Sequence, residues 1–128
     1  MSSTSFSVET DRRTHVIDVT ADVEAALPGD ADGTATVFVR HTTAGVTINE
    51  SETRLLGDIE TFLDDAVDDE GWSHDRLDDN ADSHLRALLV GSSATVPVTG
   101  GSLDLGTWQS VLFVECDGPR SRTVDVHW

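Results

Sequence analysis

Ser110-Val111-Leu112-Phe113-Val114-Glu115-Cys116 reads as a buried strand, and what brackets it sets the fold. Upstream lies Gly100-Gly-Ser-Leu-Asp-Leu-Gly-Thr-Trp-Gln109, a turn followed by a polar segment. Downstream lies Asp117-Gly-Pro-Arg120, a second tight turn carrying an arginine. Strand and turns follow one another with almost no filler. Polar groups just outside both ends of a buried strand are favoured places for binding residues.

Working outward, Phe6 to Glu9 and His15 to Val19 alternate apolar and polar residues and read as strands joined by Asp11-Arg-Arg13. Thr20 reads as the cap of a short helix, Ala21 to Leu27, which Pro28-Gly29 ends. Thr34 to Arg40 and Ala44 to Ile48 read as further strands, with Val37 and Val39 facing one way. The spacing of Leu55, Ile59, Leu63 and Val67 predicts a helix from Ser51 to about Val67, opened by a capping box of Asn49 and Glu52. A loop holding Gly71-Trp72-Ser73-His74 leads to a second main helix, Ala81 to Val90, capped by Asp79 or Asn80 and stopped at Gly91. Thr95 to Val98 and Arg122 to His127 complete the strands. Helices and strands without regular βαβ alternation predict an α+β domain with a largely antiparallel sheet.

At 128 residues the chain fits one domain with a real core. Its net charge of −16 comes from 24 acids against 8 arginines, with no lysine. Such a charge belongs either to an acidic partner-binding protein or to a protein adapted to a high-salt cytoplasm. Dispersal of the acids over helix faces and loops favours the second. Nucleic acid is excluded as a partner, because it needs basic stripes that are missing. No run approaches membrane-spanning length and the first residues lack an apolar segment, so the expected location is cytoplasmic. The single cysteine, Cys116, excludes an intrachain disulfide.

His41 stands where a strand ends, His74 in the loop between the main helices, and His84 one turn after Asn80. Each alone is equally a hydrogen-bonded surface histidine. Jointly they suit a catalytic zinc, since three neutral imidazoles leave a fourth position open. Glu50, near a helix start, reads as a base, a ligand or an ordinary first-turn acid. Asp79 and Asn80 read as site residues or simply as caps. Arg120 and Arg122 suit a phosphate or carboxylate, or else a salt bridge to one of the many acids. Thr107, Trp108 and Gln109 offer a hydroxyl, a ring and an amide to a small ligand, although Trp108 is equally a core residue.

His41-Thr-Thr-Ala-Gly-Val-Thr-Ile-Asn-Glu50, Asp79-Asn-Ala-Asp-Ser-His84, Gly91-Ser-Ser93, Val96-Pro97-Val98, Gly106-Thr-Trp-Gln109 and Glu115-Cys-Asp-Gly-Pro-Arg120 together resemble the YjbQ family, also known as secondary thiamine-phosphate synthases. The resemblance spans about residues 5 to 127 and leaves Met1 to Ser5 outside it. It implies a compact β-sandwich-like α+β fold assembled as a homotrimer. It also implies a site of His41, His74 and His84 near subunit interfaces, with Glu50, Asp79 and Asn80 nearby. The Gly-Thr-Trp-Gln and Asp-Gly-Pro-Arg blocks would shape the pocket. The family commonly has an aromatic residue just before the histidine matching His74, where this chain has Ser73 preceded by Trp72.

The implied activity joins a pyrimidine diphosphate to a thiazole phosphate, with a divalent metal and positive groups stabilising the leaving pyrophosphate. Zinc suits the histidines, and magnesium suits a diphosphate substrate. The expected function is therefore a metal-dependent enzyme acting on a small phosphorylated or heteroaromatic metabolite. The alternative is a non-catalytic trimeric metabolite-binding protein with a structural or regulatory metal.

Overall fold

The computed structural model describes residues 2–128. In chain order they form Ser3–Glu9 (β1), His15–Asp18 (β2), Thr20–Ala26 (α1), Gly33–Val39 (β3), Ala44–Asn49 (β4), Thr53–Ala66 (α2), Ala81–Val90 (α3), Ser93–Thr99 (β5), Ser102–Leu103 (β6), Ser110–Glu115 (β7) and Ser121–His127 (β8). A 3-10 turn at Ser73–Arg76 lies between α2 and α3. All pairings are antiparallel. One sheet has the order β1-β8-β3-β5-β6 and the other β2-β7-β4. The α+β reading with two main helices holds.

The run at 111–116 is continuous because β7 is buried on both faces. Val111 and Phe113 join the core between the two sheets, with Val37, Val39, Val46, Val124 and Val126. Leu112, Val114 and Cys116 point the other way, into a second core with Leu63 of α2 and Ala87 of α3. A central strand covered on both sides loses the polar alternation that marks a half-buried one. β3 keeps that alternation: Ala35, Val37 and Val39 are buried while Thr34 and Phe38 are exposed.

Three local expectations change. Of the residues placed outside the resemblance, Met1 lies outside the described residues, but Ser3 to Ser5 open β1 and pair with His127 to Asp125. Thr20 is the first helical residue of α1 rather than its cap. Its N–H and hydroxyl both donate to Asp18 Oδ1, and its oxygen accepts the Val111 N–H at 2.8 Å. The box of Asn49 and Glu52 does not form, because Glu52 is itself the cap of α2 and accepts the Arg54 N–H. Asn49 Oδ1 instead accepts the Glu50 N–H at 2.8 Å.

Helix α3, which carries His84, is anchored at both ends. At its start the buried Asp82 accepts Arg13 at 2.9 Å and also pairs with Arg86. The guanidinium of Arg86 runs on to the carbonyls of Leu63, Asp64 and Val67, which α2 leaves without helical partners. At its end the Gly91 carbonyl accepts the Val46 N–H at 3.0 Å. That approach requires Gly45, where a Cβ would collide with the same carbonyl.

Candidate functional site

Where β3, β7 and β8 meet α3, side chains from four elements line an open cavity of about 400 Å³. Arg40 and His41 enter from the end of β3, Arg120 and Arg122 from the turn into β8 and its start, and Asn80 and His84 from α3 and its N-terminus. Its floor is a buried ion pair. The fully buried Glu115 carboxylate accepts Arg122 Nε at 2.8 Å, and pairs a second time with Arg122 Nη2. Thr10 Oγ1 and the Asp117 N–H, at 2.9 and 3.0 Å, satisfy it further. Burial pushes the Glu115 carboxyl up, but the hydrogen bonds from Arg122, Asp117 and Thr10 outweigh it and hold it below the usual carboxylate range. Arg122 also donates to Thr43 Oγ1 at 2.9 Å.

The other two arginines are less enclosed. Arg120 holds Asp117 through its carbonyl and its carboxylate, at 2.8 and 2.9 Å. Arg40 pairs with Asp125 through Nε alone, leaving its terminal N–H groups free among the described residues. Asp117 also accepts Asn80 Nδ2 at 3.0 Å, which ties the start of α3 to the turn. Asn80 itself occupies the cap position without a side-chain capping bond.

His41 and His84 share this cavity and also a neighbouring, more apolar one of about 600 Å³ beside Phe38, Ala87 and Leu88. Of the other two histidines, His74 reaches only His84, and its Nε2 lies 3.9 Å from Asp78 Oδ2. The rings of His74 and His84 meet edge to face with centroids 4.8 Å apart, beside Trp72 in a third cavity of about 450 Å³. The 3-10 turn and the Trp72 indole, donating to the Asp68 carbonyl at 2.8 Å, fix that loop. His74 Nε2 and Asn80 Oδ1 are buried without a hydrogen-bond partner among the described residues. His41 Nε2 accepts the Thr123 N–H at 3.1 Å, and burial together with the Arg122 charge keeps its ring below the usual histidine range. Among the described residues, no group of three His, Cys, Asp or Glu side chains is arranged to hold a metal ion.

Several expected site residues lie elsewhere in this chain. Antiparallel pairing puts Ala44 against Glu115 but Asn49 against Ser110. Glu50, Thr107, Trp108 and Gln109 are therefore at the far end of the sheet, about 17 Å away at ~3.4 Å per residue over five residues. Trp108 is 73% exposed, so it is not a core residue. Gln109 closes its own turn by accepting the Gly106 N–H at 2.8 Å. Asp79 is exposed in a left-handed turn with φ +56°, and its neighbour Asp78 lines the cavity instead. Arg122 takes the salt-bridge alternative. Cys116 is buried, with its thiol pushed up to about 12 by burial.

Sequence reasoning missed Arg40, and it held Glu115 and Asp117 only as parts of the blocks that carry the resemblance, without a role of their own. Arg40 is one of only eight cations in the chain and immediately precedes His41, a signal that could have found it.

Fold and site together define a small α+β domain of two antiparallel sheets with an arginine- and histidine-lined cavity at one sheet end. The chain belongs to the family described as UPF0047 protein YjbQ-like, whose sequence model matches residues 4–128. It is 51% identical to a UPF0047 protein of Methanothermobacter thermautotrophicus over 93% of this chain and 85% of that one. Over 94% of this chain and 96% of the other, it is 48% identical to a UPF0047 protein of Archaeoglobus fulgidus. The crystal structure of hypothetical protein APE1520 from Aeropyrum pernix superposes with a TM-score of 0.94 at 48% identity, covering 99% and 97% of the two chains. A protein of unknown function from Sulfolobus solfataricus gives 0.89 at 36% identity, covering 98% and 94%. No helix among the described residues is long and apolar enough to cross a membrane.

Proposed function

We propose that this chain binds a small phosphorylated metabolite in the cavity of Arg40, His41, Asn80, His84 and Arg120 and acts on it as a transferase. The observation that carries this reading is the convergence of three of the chain's eight arginines on one cavity, in a chain of net charge −16. The carboxylates of Asp125, Asp117 and Glu115 hold the three guanidinium groups in place. Spare N–H groups on Arg40 and Arg120 then serve an anion with little reorganisation. His84, shared by all three cavities, stands where an anionic group and a flat ring beside Trp72 would join.

The finer instance is thiamine-phosphate formation, the activity the family resemblance implies. The histidines do not fit a three-imidazole zinc centre within one chain, since His74 is reached only through His84 and His41 Nε2 already accepts a backbone N–H. Magnesium entering with a diphosphate needs only one or two carboxylates, and Asp78 on the cavity wall is the one that no arginine engages among the described residues. The chain is further taken to assemble with copies of itself, the exposed Phe38, Trp72, Leu88 and Leu89 supplying apolar surface for the contact. The unusual charge is read as adaptation to high salt.

The test is a titration with inorganic pyrophosphate at high salt, followed by incubation with the pyrimidine diphosphate and thiazole phosphate under magnesium. Saturable binding, weakened about tenfold in Arg120→Ala, is expected for a charge-assisted contact of ~1.5 kcal/mol or more. Binding without turnover would favour the metabolite-binding alternative, which the distance of Glu50 from the cavity supports. No binding in either protein would overturn both.

A further inference from the structure

The antiparallel ladder between β3 and β8 ends at Val39 paired with Val124. The next residue of β8, Thr123, donates its N–H to the imidazole of His41 at 3.1 Å from Nε2. A backbone N–H has no lone pair to offer, so Nε2 must be the bare nitrogen of the ring. A neutral imidazole carries one proton, which leaves it on Nδ1. Protonating Nε2 would set two N–H groups against each other and break the contact. Burial and the positive charge of Arg122 work in the same direction.

This polarity is the reverse of a metal-binding histidine. Such a ring binds the ion through its bare nitrogen and donates its other N–H to a carboxylate or carbonyl. The bare nitrogen of His41 is spent on Thr123, and no hydrogen bond occupies Nδ1 among the described residues. The ring borders the cavity beside Arg40 and Arg120.

We propose that Thr123 fixes His41 as its Nδ1–H tautomer, so that it gives the cavity a neutral hydrogen-bond donor for an anionic oxygen and serves as neither metal ligand nor proton acceptor. The class of ligand rests on the anion reading above; the tautomer does not. His41 then adds directionality to charges supplied by the arginines, as a donor that salt screens less than it screens ions.

The experiment is a long-range proton–nitrogen correlation spectrum of the full chain labelled with nitrogen-15 histidine, at neutral pH and high salt. His41 is assigned by the signals lost in His41→Asn. A protonated δ1 nitrogen and a bare ε2 nitrogen, unchanged by stoichiometric zinc, are expected. A proton on Nε2, averaging between tautomers, or a zinc-dependent change at His41 would overturn the assignment.

Binding of inorganic phosphate supplies the second readout. Asparagine places an amide N–H near the Nδ1 position and glutamine near Nε2. His41→Asn is expected to retain the wild-type affinity within a few-fold, and His41→Gln to lose about tenfold to a hundredfold, the worth of one hydrogen bond to a charged group. Equal losses in both would overturn the donor role. Wild-type protein showing Nδ1–H but no phosphate binding would overturn the anion reading and leave the tautomer. Nε2–H with phosphate bound would do the opposite.

Discussion

The two ends of β7 differ in what holds them. At the Glu115 end a buried carboxylate, two threonines and a guanidinium are hydrogen-bonded to one another, and charged groups converge from four elements. At the Ser110 end the same sheet stops in the exposed turn of Thr107, Trp108 and Gln109, with Glu50 nearby in sequence register. Both ends look alike as sequence: a short polar block with Gly beside an apolar run. They differ because only one is roofed by α3 and floored by Arg122. Functional geometry needs enclosure, and enclosure comes from elements distant in the chain.

The largest test of this contrast is removal of one member of the buried pair. Glu115→Gln or Arg122→Ala is expected to cost about 3–5 kcal/mol, because each leaves an uncompensated buried group. Glu50→Gln at the other end is expected to change stability by less than about 0.5 kcal/mol. Denaturant unfolding at constant high salt measures both, and equal effects would erase the distinction.

Acid sensitivity sharpens it. Each end holds one carboxyl below its ordinary range. At one end is Glu115. At the other is Asp18, which partial burial pushes up but hydrogen bonds from Thr20 pull down further. A depressed folded value means that the unfolded chain binds more protons. The contribution of each is therefore complete above the ordinary carboxylate range and is lost as pH falls through the folded value. Removing the buried Glu115 should flatten the acid limb of a stability–pH curve more than Asp18→Asn does, since Asp18 is much the less buried of the two. The reverse ranking would place the acid-labile element at the Ser110 end.

The smallest expected effect is at Trp108. Trp108→Ala should leave phosphate affinity within about twofold, as a side chain ~17 Å from the cavity has no contact to lose. A loss of tenfold or more would show that a second copy brings its Ser110 end to the cavity of the first.

Much of the fold was legible, because strands such as β3 alternate cleanly and Gly91 stops α3 where a helix of that pattern should stop. The site was legible in part. His41, His84, Asn80 and Arg120 stood out as polar residues at element ends, and the structure brings them together. Glu50 does not join them within one chain, because an antiparallel strand carries nearby residues apart: His41 and Glu50 flank the same strand, β4, at opposite ends. The choice between a bridge and a ligand role for Arg122 depended on Glu115 facing it across the turn, which no local spacing encodes. The Asn49–Glu52 pattern matched a capping box, yet the helix opens at Thr53 with Glu52 as cap.

One feature of the helical layer extends beyond the site. Helix α2 ends without a glycine or a capping side chain of its own, and Arg86 from the middle of α3 donates to its last carbonyls. Neither helix can therefore open alone without stranding a guanidinium or a set of carbonyls in the interior. The slowly exchanging amides of the last turn of α2 and of α3 should share one protection factor, marking a single cooperative unit that lifts off the three-stranded sheet as a whole.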